Sequence, residues 1–99
     1  MNEIEKLLTE EVGTPTGLDA DWSVQAWIIG SREDDDCKMV LAIIDDESDS
    51  RSFSLILRTF DIYDQAIDSR INYSIRLMGV AALISEGMTL ARMMGMQIK

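Results

Sequence analysis

The residues predict an α+β fold: a short N-terminal helix, a three-stranded antiparallel meander, and a long C-terminal helix, whole or broken, packed on the sheet. Three observations carry this reading. Apolar residues before Gly13 recur at helical spacing, three runs between Trp22 and Phe60 alternate with period two, and helical spacing returns after Asp61. At 99 residues the chain is read as one domain, with residues 1–13 as the N-terminal helix, 22–60 as the sheet and 61–96 as the C-terminal helical segment.

Ile4, Leu7, Leu8 and Val12 fall on one face of the first helix. Asn2 is a suitable N-cap with Glu5 three residues on, and Gly13 is a suitable terminator. Thr14-Pro15-Thr16-Gly17 then reads as a turn or linker. The first strand, Trp22 to Gly30, places Trp22 and Trp27 on opposite faces because their separation is odd. One should enter the core. The other is exposed, as a partner's anchor point, or covered by the helix. The second strand, Lys38 to Asp45, is apolar on both faces and so belongs at the centre of the sheet. The third, Ser52 to Phe60, sets Phe53, Leu55 and Leu57 against Ser54, Ile56 and Arg58. The connections, 31–37 and 46–51, are polar and short enough for hairpins.

Beyond Asp61 the stripe Ile67, Ile71, Ile75, Met78, Ala82 steps by three or four, and Leu77, Val80, Ala81, Ile84, Met88 and Ala91 open a second apolar face. Asp61 or Thr59 can cap this segment. A straight helix from Ile62 to Met94 would be about 50 Å long. A compact domain of this size has a radius of gyration of only about 13 Å. The helix should therefore break, most readily at Ser85-Glu86-Gly87, or pack its far end on another subunit.

The charge is −9, from 18 acidic and 9 basic residues, with no histidine. That balance speaks against direct contact with nucleic acid or an anionic membrane, both of which select a cationic footprint. It is also uneven: residues 1–49 hold 14 acids and 3 bases, residues 50–99 hold 4 acids and 6 bases. Two acidic clusters fall in the hairpin loops, Glu33, Asp34, Asp35, Asp36 and Asp45, Asp46, Glu47, Asp49. With Trp27 they are the candidate partner-binding residues. In a meander the two loops stand at opposite ends of the sheet. Against this stands the reading that they merely solubilise the chain and guard sheet edges. The second cluster has the alternating acids of a calcium loop, but Ser50 stands where such a loop needs glycine and Ile56 where it needs a bidentate glutamate. Neither metal nor cofactor is expected.

The C-terminal segment holds five of the seven methionines. Met88, Met93, Met94 and Met96 are candidates for self-association, with a dimer the expected form, since a small sheet covers only one face of an apolar helix and methionine adapts to irregular contacts. Cys37 is a lone thiol and is read as structural. No phosphate-binding glycine loop and no cysteine–histidine metal set occurs, and paired carboxylates fall only in loops read as exposed. The expectation is a protein that is not an enzyme. The single cysteine, the acidic start and the lack of a 20-residue apolar run fit a cytoplasmic setting.

The function these features suggest is that of a small acidic protein that binds and inhibits a larger, basic, nucleic-acid-handling machine. Its acids would mimic phosphates, in the manner of phage counter-defence and anti-CRISPR inhibitors. Two alternatives stand beside it. The order helix, meander, long helix is loosely similar to the small acidic chaperones of bacterial secretion systems, and the segment Cys37 to Glu47 resembles their central strand. That resemblance implies a dimeric adaptor and covers about a tenth of the chain. A structural subunit assembled through the methionine-rich helix is the other alternative.

Overall fold

The computed structural model describes residues 3–15, 25–46, 52–60 and 66–98, with the backbone alone described at 45, 46, 52 and 66–78. In chain order the elements are α1 (Glu3–Glu11), β1 (Ala26–Glu33), β2 (Lys38–Asp46), β3 (Ser52–Phe60), β4 (Ala66–Ser74), α2 (Ile75–Met93) and β5 (Gln97–Ile98). The strands form one antiparallel sheet in the order β4-β3-β2-β1-β5. The α+β fold of helix, antiparallel meander and C-terminal helix therefore stands, with more strands than the three predicted.

β2 is the middle strand, as its lack of a polar face requires. Leu41 and Ile43 point to one side and Val40, Ala42 and Ile44 to the other, and none is more than 6% exposed. On the first side Trp27, Ile29, Phe53 and Leu55 from the flanking strands join them, and Leu8 of α1 with Leu83, Ile84 and Ala91 of α2 close the core. A bulge between Ile28 and Gly30 turns β1 locally. On the opposite side Ala26, Ala42, Ile44 and Ile56 form a second buried cluster, against which Ile28 packs.

Trp27 anchors the first side. Its ring lies 6.0 Å from that of Phe53 at 54°, the tilted geometry aromatic pairs favour. Its indole Nε1–H donates to Thr9 Oγ1 at 3.2 Å, and the Thr9 hydroxyl donates to the Glu5 carbonyl at 2.8 Å. Trp27 is fully buried. The exposed or partner-facing role considered for it is corrected: the N-terminal helix covers it. Trp22 lies outside the described residues, as do the proposed Asn2 and Asp61 caps.

The segment expected to begin the C-terminal helix is instead β4. The spacing Ile67, Ile71, Ile75 led to a helix because a step of four keeps residues on one face of a helix. It does the same on a strand, whose period of two divides four. What separates the two is the remainder of the run: Asp68, Arg70, Asn72 and Ser74 fall on even positions, and Ile67, Ile71 and Tyr73 on odd ones, where only Ser69 interrupts them. That alternation is a strand signal. β4 pairs with β3 along its length, with Arg58 opposite Asp68.

Starting α2 at Ile75 removes the overhang. Its 19 residues span about 28 Å at 1.5 Å each, within a molecule of 38 × 28 × 23 Å and radius of gyration 12.8 Å. The break also falls elsewhere than predicted. Gly79, at φ 74° and ψ 163°, kinks α2 after its first turn, whereas Ser85-Glu86-Gly87 is continuous helix. Gly87 has a different duty. A Cβ there would run into Ile29 Cδ1 and press on Leu55 Cδ1, so the missing side chain lets α2 lie close to the sheet with those two side chains undisturbed.

The close approach gives two tests by urea denaturation. Gly87→Leu inserts a side chain into occupied space and should destabilise the fold by about 1–3 kcal/mol. The neighbouring exposed Glu86→Leu should change stability by less than about 0.5 kcal/mol. Equal effects would show that α2 does not sit on Ile29 as described.

Candidate interaction surfaces

The Glu33–Asp36 turn and the Asp45–Asp46 end of β2 stand at opposite ends of that strand, as the meander predicts. Its nine residues separate them by about 25 Å at 3.3 Å per residue. Among the described residues they do not form one contiguous patch. Asp45 and Asp46 end β2, while Glu47 and Asp49 lie outside the described residues.

The other cluster is fully visible. Glu33 ends β1, and Asp34, Asp35 and Asp36 make the turn into β2; all four are exposed. The turn is closed by the Asp34 N–H donating to the Cys37 carbonyl at 2.8 Å. Of the four carboxylates, Asp34 alone has an ion-pair partner among the described residues: Arg32 Nε lies 3.2 Å from its Oδ1, with both side chains more than 40% exposed. Such an exposed pair is worth at most about 1 kcal/mol. Cys37 is a half-buried free thiol at the base of the turn.

Arg32 does a second thing. Its Nη1 donates to the Met94 carbonyl at 3.0 Å, at the C-terminal end of α2. That end is finished by a Schellman motif. Met96 N–H donates to the Ala91 carbonyl at 2.8 Å, Gly95 N–H to the Arg92 carbonyl at 3.1 Å, and Gly95 takes the positive φ of 68° that the motif needs. One guanidinium therefore joins the acidic turn to the end of the core helix. A helix C-terminus carries about half a negative charge, so the four acids and the helix end share one pole of the molecule.

The methionines separate by environment. Met96 is 7% exposed and joins the core as the apolar residue that follows the Schellman glycine, contacting the region of Ala91. It is corrected from a self-association candidate to a core residue. Met88 and Met94 are half-buried against the core. Met93 alone of the four points out, at 77% exposure. α2 ends within the molecule, so its length leaves no overhang for a second subunit to cover.

A further feature had no signal in the sequence reading. The chain after Gly95 returns as β5 to pair with β1, Gly30 opposite Ile98 and Ser31 opposite Gln97. Beside it opens a cleft of about 340 Å³ lined by Ile28, Ser31, Val40, Gln97 and Ile98. A two-residue strand falls below the length at which alternation can be read, and the Gly95 turn is its only herald.

No helix among the described residues is long and apolar enough to cross a membrane. No group of three or more metal-ligating residues gathers among them either.

The Schellman turn is testable. Gly95→Val forces a β-branched residue to positive φ and should cost about 1–2 kcal/mol in urea denaturation. Met93→Val, a few residues earlier at an exposed helical position, should cost less than about 1 kcal/mol.

Compared with known proteins, the chain matches no family model, and no curated protein or solved structure is significantly similar to it.

Proposed function

We propose that this chain is a small, non-catalytic, cytoplasmic binding protein. It docks its acidic pole on a basic, nucleic-acid-handling protein or complex and inhibits it by occupying a phosphate-binding surface. The observation that carries the reading is the turn Glu33–Asp36: four consecutive exposed carboxylates, one of them paired, on a closed hairpin tied to the core by Arg32.

Charge density supports it. Consecutive residues of an extended chain advance about 3.3 Å each. A single nucleic-acid strand carries one charge per 3.4 Å. A turn packs its charges at least as densely as an extended chain. Here they are already in place, so little ordering is required when a partner binds. Long-range attraction by such a pole raises the association rate and fades with salt.

A homodimer through Met93 is the weaker reading. A two-fold contact sets each patch against its own copy. With Arg32 joining Met94 to Asp34, the two acidic turns would be drawn together, each adding to a chain already at −9.

The test is affinity capture from the native host at low and at 0.5 M salt, with the wild type and with Asp34, Asp35 and Asp36 all changed to lysine. The wild type should retain a nucleic-acid-binding protein and lower that protein's affinity for nucleic acid. The triple variant should fold, by circular dichroism, and lose the partner, as should the wild type at high salt. Equal capture by the two chains would sink the proposal. Salt-resistant capture of apolar client segments would favour the chaperone alternative. A defined oligomer formed without any partner would favour the structural one.

A further inference from the structure

We propose that β4 is the seam of a symmetric dimer: the edge strands of two copies pair antiparallel about Ser69, with Asp68 of each copy set opposite Arg70 of the other. The proposal goes beyond the acidic docking and does not rest on it.

β4 ends the sheet order, and no strand lies beyond it among the described residues. It is nine residues long and holds neither proline nor glycine. The outer edge of such a strand is a row of backbone donors and acceptors able to take up another strand. Charge decides which strand fits. Opposite charges placed across a strand pair stabilise it, and like charges destabilise it.

The central residues of β4 are Ile67-Asp68-Ser69-Arg70-Ile71. Read from either end they run isoleucine, charge, serine, charge, isoleucine, and the two charges are opposite. Two copies running antiparallel about Ser69 therefore set Ile67 opposite Ile71 and Asp68 opposite Arg70, each pair twice. Directly opposite residues share a face of the sheet, so a two-fold pair is centred on a residue and not between two. Moving the centre by one residue sets Asp68 against Asp68, or Arg70 against Arg70. Charge thus selects Ser69. The backbone suits this centre, since β4 follows β3 without a slip from Ala66 to Arg70 and the irregularity lies beyond. Within the chain, β3 registers Arg58 opposite Asp68 but Ile56 opposite Arg70. The second copy sets opposite Arg70 the acid that β3 does not.

The spread of charge also favours a second copy. β4 belongs to residues 50–99, where 6 bases outnumber 4 acids, whereas residues 1–49 hold 14 acids to 3 bases. A contact through β4 joins the copies by their cationic halves. β2 and its copy then stand five strand spacings apart, about 24 Å at about 4.8 Å each. That is about three screening lengths at physiological salt. Both acidic turns stay uncovered. A dimer that captures a partner therefore keeps the docking reading, and the structural alternative gains only from a dimer that captures none.

Sedimentation of the full chain tests the seam. The wild type should pass from 11.1 kDa to twice that mass as its concentration rises from about 1 to about 200 µM. Arg70→Asp sets carboxylate against carboxylate at both ends of the seam and should weaken the dimer at least about tenfold. Asp68→Arg sets cation against cation and should do the same. An equimolar mixture of these two variants restores both opposite-charge pairs and should dimerise where neither does alone. Ser69→Cys, combined with Cys37→Ser so that the new thiol is the sole one, should cross-link to its own copy under mild oxidation, since the two backbones meet there. Ala66→Cys in the same background is registered opposite Asn72 and should not. A wild type that stays at 11.1 kDa throughout overturns the proposal. So does an Arg70→Asp chain that dimerises as the wild type does, or a Ser69→Cys chain that cross-links no faster than Ala66→Cys. If Asp68→Arg loses the fold by circular dichroism, with Arg58 registered opposite it, Arg70→Asp and the two cysteine variants decide without it.

Discussion

The spacing between α2 and the sheet governs most of what the molecule presents to its surroundings. It is set where Gly87 meets Ile29 and Leu55. A side chain at that point would have to displace the ends of Ile29 and Leu55 or lift the helix off the strands. With none, α2 descends far enough for Leu83, Ile84 and Ala91 to interlock with Trp27, Leu41 and Ile43, and it arrives low over β1, where Ala91 and Met96 lie against Gly30. Only from there can the tail turn at Gly95 and lay Gln97 and Ile98 beside Ser31 and Gly30. The close contact costs helix propensity, since glycine within a helix is less favourable than alanine by about 1 kcal/mol. The full burial of eight large side chains, Trp27 and Phe53 among them, offsets it.

The same contact decides where the charged end of the molecule sits. α2 ends beside the β1–β2 turn because it crosses the sheet from β4 towards β1. Arg32 then bridges the Met94 carbonyl and Asp34. The turn is thus a loop held at both ends, by the strands that it joins and by the end of a core helix. Acidic residues on a free tail would have to be ordered at every encounter. Here the backbone that carries them is already closed into a turn, which is why the hairpin, and not the acids of α1 or the end of β2, carries the proposed function.

Much of this organisation was legible in the residues. β2 announced itself as central by having no polar face, and the acidic runs fell in hairpins because polar stretches without periodicity have nowhere else to go. What failed did so for identifiable reasons. Ile67, Ile71 and Ile75 satisfy helix and strand alike, so β4 had to be read from the polar residues between them. Gly87 was taken for a weak point because glycine's conformational freedom and its small size leave the same letter in a sequence. The structure uses the second at Gly87 and the first at Gly79 and Gly95. The methionines were grouped by composition, but a Schellman turn sends Met96 inward while Met93, three residues earlier, faces out. β5 and its cleft depend on a contact between residues 30 and 98 that no local pattern encodes.

The separation of the two acidic clusters by the length of β2 has a consequence for how such a chain could inhibit anything. A duplex mimic needs charge distributed over a long face, and the described residues of one chain hold it at two distant ends. A single hairpin carrying four carboxylates copies only a short stretch of backbone, and exposed charge alone gives rate more than affinity. Tight binding then needs an apolar anchor near the charge. Among the described residues the exposed large apolar side chains are Met93 and Ile98. Met93 directly precedes the residue whose carbonyl Arg32 holds beside Asp34, so on the proposed reading an apolar anchor and the charge meet at the end of α2.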